Sequence, residues 1–126
     1  MELHFYVCRH CGNVIVKLHD SGVPLVCCGE PMKELSPNTA DTSIEKHLPI
    51  LIHQDLHTLK VQVGSREHPS LFEHHIEFIC VECDTCFQIV FLKPEAPPHA
   101  VFSMRCNPKA VYAYCNLHGL WRTDII

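Results

Sequence analysis

Four cysteines near the start of this chain constrain its fold more than any other feature: Cys8-x-x-Cys11, then the adjacent pair Cys27-Cys28. Around them lie only short apolar runs, Leu3–Val7, Val14–Leu18 and Leu25-Val26, with a turn signal at Asp20-Ser21-Gly22. A unit spanning residues 1–36 is too short to build an adequate core and needs a staple. Cys8-x-x-Cys11 puts two thiolates on one tight knuckle, and Cys27-Cys28 completes a set of four. Four thiolates suit tetrahedral zinc or a single iron. A metal held this way contributes on the order of 10 kcal/mol to folding. Zinc ribbons repeat Cys-x-x-Cys, whereas here the second half is an adjacent pair, which imposes distorted angles at the metal.

The whole chain has 126 residues, 47% of them hydrophobic, enough for a real core beyond the stapled unit. Its net charge of -4 and its lack of a basic run exclude a non-specific nucleic-acid binder. No run approaches the ~20 apolar residues of a membrane span. The N-terminal stretch Met1–Cys8 lacks the basic flank and long apolar core of a secretory signal. Nine cysteines, an odd number, exclude a fully paired disulfide framework. The expected setting is the reducing cytoplasm, where so many thiols point to metal binding or redox chemistry.

Residues 37–43 are polar, include Pro37, and read as a linker. Residues 44–126 read as all-β. His57–Val63 alternates, with Leu59, Val61 and Val63 on one face. Leu48–His53, His75–Val81, Phe87–Leu92, Ala100–Met104, Ala110–Tyr114 and Leu120–Ile125 are further strand candidates, with turn signals between most of them. The expected fold is mainly β: a small metal-stapled domain followed by an immunoglobulin-like, seven-stranded β-sandwich.

Three clusters of donors sit at strand ends or in loops of this second domain, where a sandwich gathers its functional residues. They are Glu45-Lys46-His47, then His68-Pro69 followed by His74-His75, and Cys115-Asn116-Leu117-His118-Gly119. Sulfur and imidazole nitrogen together suit a transition metal.

The Cys8, Cys11, Cys27, Cys28 pattern resembles desulforedoxin, a small iron-binding β-rich fold that dimerises. The histidine and cysteine clusters resemble the catalytic domain of superoxide reductase. Together, from Cys8 to Trp121, the chain resembles the desulfoferrodoxin family of two-iron superoxide reductases. The resemblance implies iron at the four-cysteine site, saturated, and serving as a structural element or an electron relay. It implies a second, catalytic iron with His47, His68, His74 and His118 as equatorial ligands and Cys115 as axial thiolate. The family's histidine falls six residues after His-Pro, which selects His74 over its neighbour His75. Glu45 would bind the oxidised iron at the sixth position, and Lys46 would sit over the open site and attract superoxide. Superoxide would be reduced by one electron to hydrogen peroxide without release of dioxygen. A rubredoxin-like donor would restore the ferrous state, and a homodimer is implied. The alternatives from other classes are an iron electron-transfer protein and a zinc-stapled binding module without turnover.

Cys80, Cys83, Cys86 and Cys106 have no role in that pattern. Cys83 and Cys86 flank Asp84-Thr85, a two-residue turn, and lie within disulfide reach of each other. Besides a Cys83–Cys86 bond, the readings are a third metal at Cys80, Cys83 and Cys86, and plain packed or surface thiols.

Overall fold

Short apolar runs broken by turn residues become short strands throughout. The computed structural model describes residues 2–125. Met1 and Ile126, the outer ends of the two expected domains, lie outside the described residues. The chain divides into two compact units, Met1–Ser36 and Pro37–Ile126.

In the first unit, β1 (Phe5–Val7) lies between β2 (Val14–Val16) and β5 (Lys33–Glu34), both antiparallel to it. A separate hairpin joins β3 (Val26–Cys27) to β4 (Glu30–Pro31). Its two turn residues, Cys28 and Gly29, have φ of 54° and 78°. Positive φ at both centres is the type I′ turn, whose twist matches that of the flanking strands. Few non-glycine residues adopt this region, so the adjacency of Cys27 and Cys28 is accommodated in the backbone of Cys28. Between β1 and β2, the Gly12 N–H donates to the Cys8 carbonyl at 2.9 Å, closing the knuckle.

Among its described residues the second unit has seven strands: β6 (Pro49–Gln54), β7 (Thr58–Val63), β8 (Ile76–Glu82), β9 (Phe87–Phe91), β10 (His99–Ser103), β11 (Ala110–Cys115) and β12 (Gly119–Asp124). They form two antiparallel sheets, ordered β10-β7-β6 and β12-β11-β8-β9. Leu59, Val61, Val63, Ala100 and Phe102 of the first sheet pack against Ile79, Val81, Val111 and Ala113 of the second. This is the mainly β, immunoglobulin-like sandwich. The fourth strand, β9, stays beside β8 because the tight turn after Glu82, closed by Cys83 N–H to the Cys86 carbonyl at 2.9 Å, leaves no length to change sheets. Residues 37–43 carry no helix or strand. Asn38 exchanges hydrogen bonds with the backbone of Leu120 and Arg122, and so covers part of the edge of β12.

One departure from simple alternation shapes the site. Strict period two along β8 would turn Glu77 into the core together with Ile79 and Val81. Instead the register against β11 shifts between Phe78 and Ile76. The bulge leaves Glu77 exposed and buries Ile76, which is 2% exposed. No described helix is long and apolar enough to cross a membrane.

Candidate metal centres

The knuckle and the type I′ turn bring Cys8, Cys11, Cys27 and Cys28 to one point, with their four sulfurs within 4.8 Å of one another. The Cys11 and Cys27 sulfurs lie 3.6 Å apart, and those of Cys27 and Cys28 3.9 Å. A regular tetrahedron with metal–sulfur bonds of about 2.3 Å has edges of about 3.8 Å. The backbone turn therefore relieves most of the distortion expected from adjacent ligands. Backbone N–H groups of Cys11 and His10 pull the Cys8 thiol down to about 6, and its neighbouring sulfurs push Cys28 up to about 12. Four thiolates this close need a cation among them.

The second constellation lies at one end of the sandwich. Its first histidine, His47, ends the single helical turn α1 (Ile44–His47). The loop after β7 clamps that turn, with Arg66 N–H donating to the Glu45 carbonyl at 3.2 Å and Gly64 N–H to the Leu48 carbonyl at 2.9 Å. Gly64 has φ +85°, and a Cβ there would meet the Arg66 carbonyl and lie 2.8 Å from the Lys46 backbone carbons. The same loop delivers His68. His74 arrives just before β8, while Cys115 and His118 flank the turn from β11 to β12.

Four imidazoles close a ring in the order His47, His68, His74, His118. Neighbouring centroids are 4.6, 4.6, 5.0 and 4.9 Å apart, with planes 77° to 88° from parallel. His47 and His74 face each other across the ring at 6.3 Å. The ligand atoms of His47, His74, Cys115 and His118 all lie within 4.8 Å of one another. Trp121 stacks on His47 at 4.9 Å, and both are nearly inaccessible.

The tautomers follow from the outer hydrogen bonds. His47 Nδ1–H donates to the Ser43 carbonyl at 2.6 Å, and His68 Nδ1–H to the Pro69 carbonyl at 2.7 Å. Both rings therefore present bare Nε2 lone pairs, 3.2 Å apart. His47 Nε2 also faces His118 Nδ1 at 3.1 Å. Two bare lone pairs cannot hydrogen-bond each other. Around a metal with bonds of about 2.1 Å, however, nitrogens at right angles fall about 3.0 Å apart. His74 Nε2 is buried with no hydrogen-bond partner, the expected state of a ligand atom. Burial drives His47 and His74 below the ordinary imidazole range and His68 down to about 4, which keeps these rings neutral. Burial pushes the Cys115 thiol up, while N–H groups of Leu117 and His118 pull it down. A coordinating metal deprotonates such a thiol outright.

His75 stands outside the ring. Its Nδ1 faces the Leu71 carbonyl at 3.1 Å, and its backbone N–H donates to Asn116 Oδ1 at 2.9 Å. Glu45 is exposed, and its carboxylate lies 3.6 Å from the Arg66 guanidinium. Lys46 is half-buried. The supporting residues Ser43, Pro69, Asn116 and Trp121 carry no ligand signature, although Asn116 lies within the Cys115–Gly119 cluster.

Of the remaining cysteines, Cys80 is a packed free thiol and Cys86 an exposed one, while Cys83 and Cys106 are paired. The disulfide joins Cys83 to Cys106 with Cα atoms 6.4 Å apart, neither Cys83 to Cys86 nor a metal with Cys80. Cys83 points into the core, where Cys106, arriving after β10, packs against it. The sulfurs of Cys83, Cys86 and Cys106 lie within 4.8 Å of one another, whereas Cys80 is fully buried outside that group, and burial pushes its thiol up to about 12.

A mainly β protein with a four-sulfur site and a four-histidine, one-cysteine site is a non-haem metalloprotein of the redox class. The family model described as Desulfoferrodoxin matches residues 39–124, and that of its N-terminal domain matches residues 1–35. The desulfoferrodoxin of Nitratidesulfovibrio vulgaris is 42% identical, the match covering 98% of this chain and 97% of that one. The desulfoferrodoxin homolog of Archaeoglobus fulgidus is 40% identical, with 96% of each covered. The superoxide reductase from Treponema pallidum superposes with a TM-score of 0.81 at 28% identity, covering 98% of this chain and 100% of that one. This chain belongs to the desulfoferrodoxin family. Its two donor sets are those of two iron centres, one in four cysteines and one in four histidines and a cysteine, and it is an oxidoreductase.

Proposed function

We propose that this chain is a superoxide reductase, converting superoxide with one electron and two protons into hydrogen peroxide. The observation that carries the reading is the closed ring of His47, His68, His74 and His118 beside Cys115. These five side chains would hold the iron and would leave room beside it for a small anion. Iron held there supplies the electron and the positive charge that an anionic radical needs.

The residues around it have separable roles. Cys115 supplies an anionic sulfur, which donates electron density to the metal. Ser43 and Pro69 hold His47 and His68 with their lone pairs inward. Trp121 excludes water from the buried side of His47. Glu45, now beside Arg66, would be a carboxylate ligand to the oxidised iron. Lys46 supplies a local positive charge on a chain whose net charge is -4, so the field that draws the substrate is focused at the site. A rubredoxin-like protein is the proposed electron donor, and a homodimer the proposed assembly. The four-cysteine iron has no free position for substrate.

The test is stoichiometric. Superoxide supplied to the pre-reduced protein is expected to give one peroxide per superoxide consumed and no dioxygen. Half that yield, with dioxygen evolved, would make the chain a dismutase. No peroxide at all would leave an electron-transfer protein. A second measurement addresses Lys46. Lys46→Ala is expected to slow the bimolecular reaction roughly threefold to tenfold at low salt and to flatten its dependence on ionic strength. An unchanged rate and slope would remove the steering role.

A further inference from the structure

The three sulfurs of Cys83, Cys86 and Cys106 lie at the end of the sandwich opposite the histidine ring. Along β8, Ile76 pairs with Cys115 while Glu82 pairs with Ala110. Six residue steps of a strand separate the two ends by roughly 20 Å. Cys83 and Cys106 are joined, and the Cys86 sulfur stands 3.5 Å from that of Cys106. Their exposures differ: Cys83 is 1% exposed, Cys106 is half-buried, and Cys86 is open to solvent. The disulfide thus has one sulfur sealed in the core and a free thiol poised against the other.

We propose that Cys83, Cys86 and Cys106 form a thiol–disulfide exchange site whose substrates are external dithiols, with Cys86 as the sulfur through which electrons enter. In the internal step, the Cys86 thiolate attacks the Cys106 sulfur. The Cys86–Cys106 bond forms, the Cys83–Cys106 bond breaks, and Cys83 leaves as a thiolate that takes up the proton Cys86 lost. No electrons are gained or lost. Closing from 3.5 Å to a bond of about 2.05 Å is within the reach of side-chain rotation at an exposed turn residue. The starting separation is already that of a near-attack arrangement. In the external step, a thiolate of the dithiol attacks the Cys86 sulfur and Cys106 leaves. The second thiol of the reductant then closes its own disulfide and releases Cys86. Two electrons and two protons pass from the dithiol to the chain, which ends with three thiols. The exchange carries the disulfide from a sealed position to a reachable one.

The test uses the full chain purified without reductant, with dithiothreitol as probe, rapid alkylation, and peptide mapping by mass spectrometry. Wild-type protein is expected to yield both the Cys83–Cys106 and the Cys86–Cys106 linkages. Cys86→Ser should retain only the former, and its reduction should be at least about tenfold slower. Cys83→Ala should form the Cys86–Cys106 bond under the same conditions. Equal reduction rates for wild type and Cys86→Ser would overturn the proposal. So would failure of Cys83→Ala to cross-link while its circular dichroism stays that of wild type. Three freely alkylated thiols in untreated protein, or a third equivalent of metal lost with Cys106→Ala, would replace it with packed thiols or a metal site.

Discussion

Cys115→Ser is expected to reduce the iron content from two per chain to one, and to lower peroxide formation from superoxide by at least about a hundredfold. Cys115 is fully buried at the end of β11, beside Val111 and Ala113 on the core face. A serine hydroxyl there keeps its proton and is a poor substitute for a soft, anionic sulfur. The His118 N–H that now points at sulfur, 3.4 Å away, would lose its anionic acceptor. Elemental analysis on protein purified without oxygen, followed by a peroxide assay, checks both outcomes. The four-cysteine iron serves as the internal control, because none of its ligands lies on the same strands. Retention of two irons with undiminished peroxide formation would empty the assignment of Cys115.

Loss of metal from the first unit should have the larger effect on stability. Among the described residues there, the buried apolar side chains are Leu3, Phe5 and Cys8, and one of these is itself a ligand. Its strands are two or three residues long. That core is too small to offset the entropy of ordering the unit, while a bound metal contributes on the order of 10 kcal/mol. Cys11→Ser should therefore remove hydrogen-exchange protection from the amides of β1 and β2. The amides of β7, β8 and β11 should stay protected, because their core, centred on Val61, Ile79 and Val111, needs no metal. Undiminished protection in β1 would show that the unit folds without its staple.

Much of the second unit was legible because burial on a strand has period two. Leu59, Val61 and Val63 alternate in the chain and are all fully buried in β7. The same rule misleads at Glu77, where a bulge changes the phase of β8, and a bulge depends on what the neighbouring strand offers. The donors were legible as residue types at loop positions. The carbonyls of Ser43 and Pro69, which set the tautomers of His47 and His68, were not, since any residue carries a carbonyl. Cys106 as the partner of Cys83 was equally hidden. The sequence draws attention to the local pair Cys83 and Cys86, but the sulfur that reaches Cys83 arrives across the core from 23 residues away.

By itself the sequence determined the mainly β class, the four-cysteine staple and the inventory of nitrogen and sulfur donors, because these rest on local periodicity, spacing and residue chemistry. Only the tertiary structure decided that Glu45 faces Arg66 and that Cys83 meets Cys106. Each of these depends on where two distant segments meet, and that is set by how the two sheets pack and by the turns and bulge that aim the loops between them.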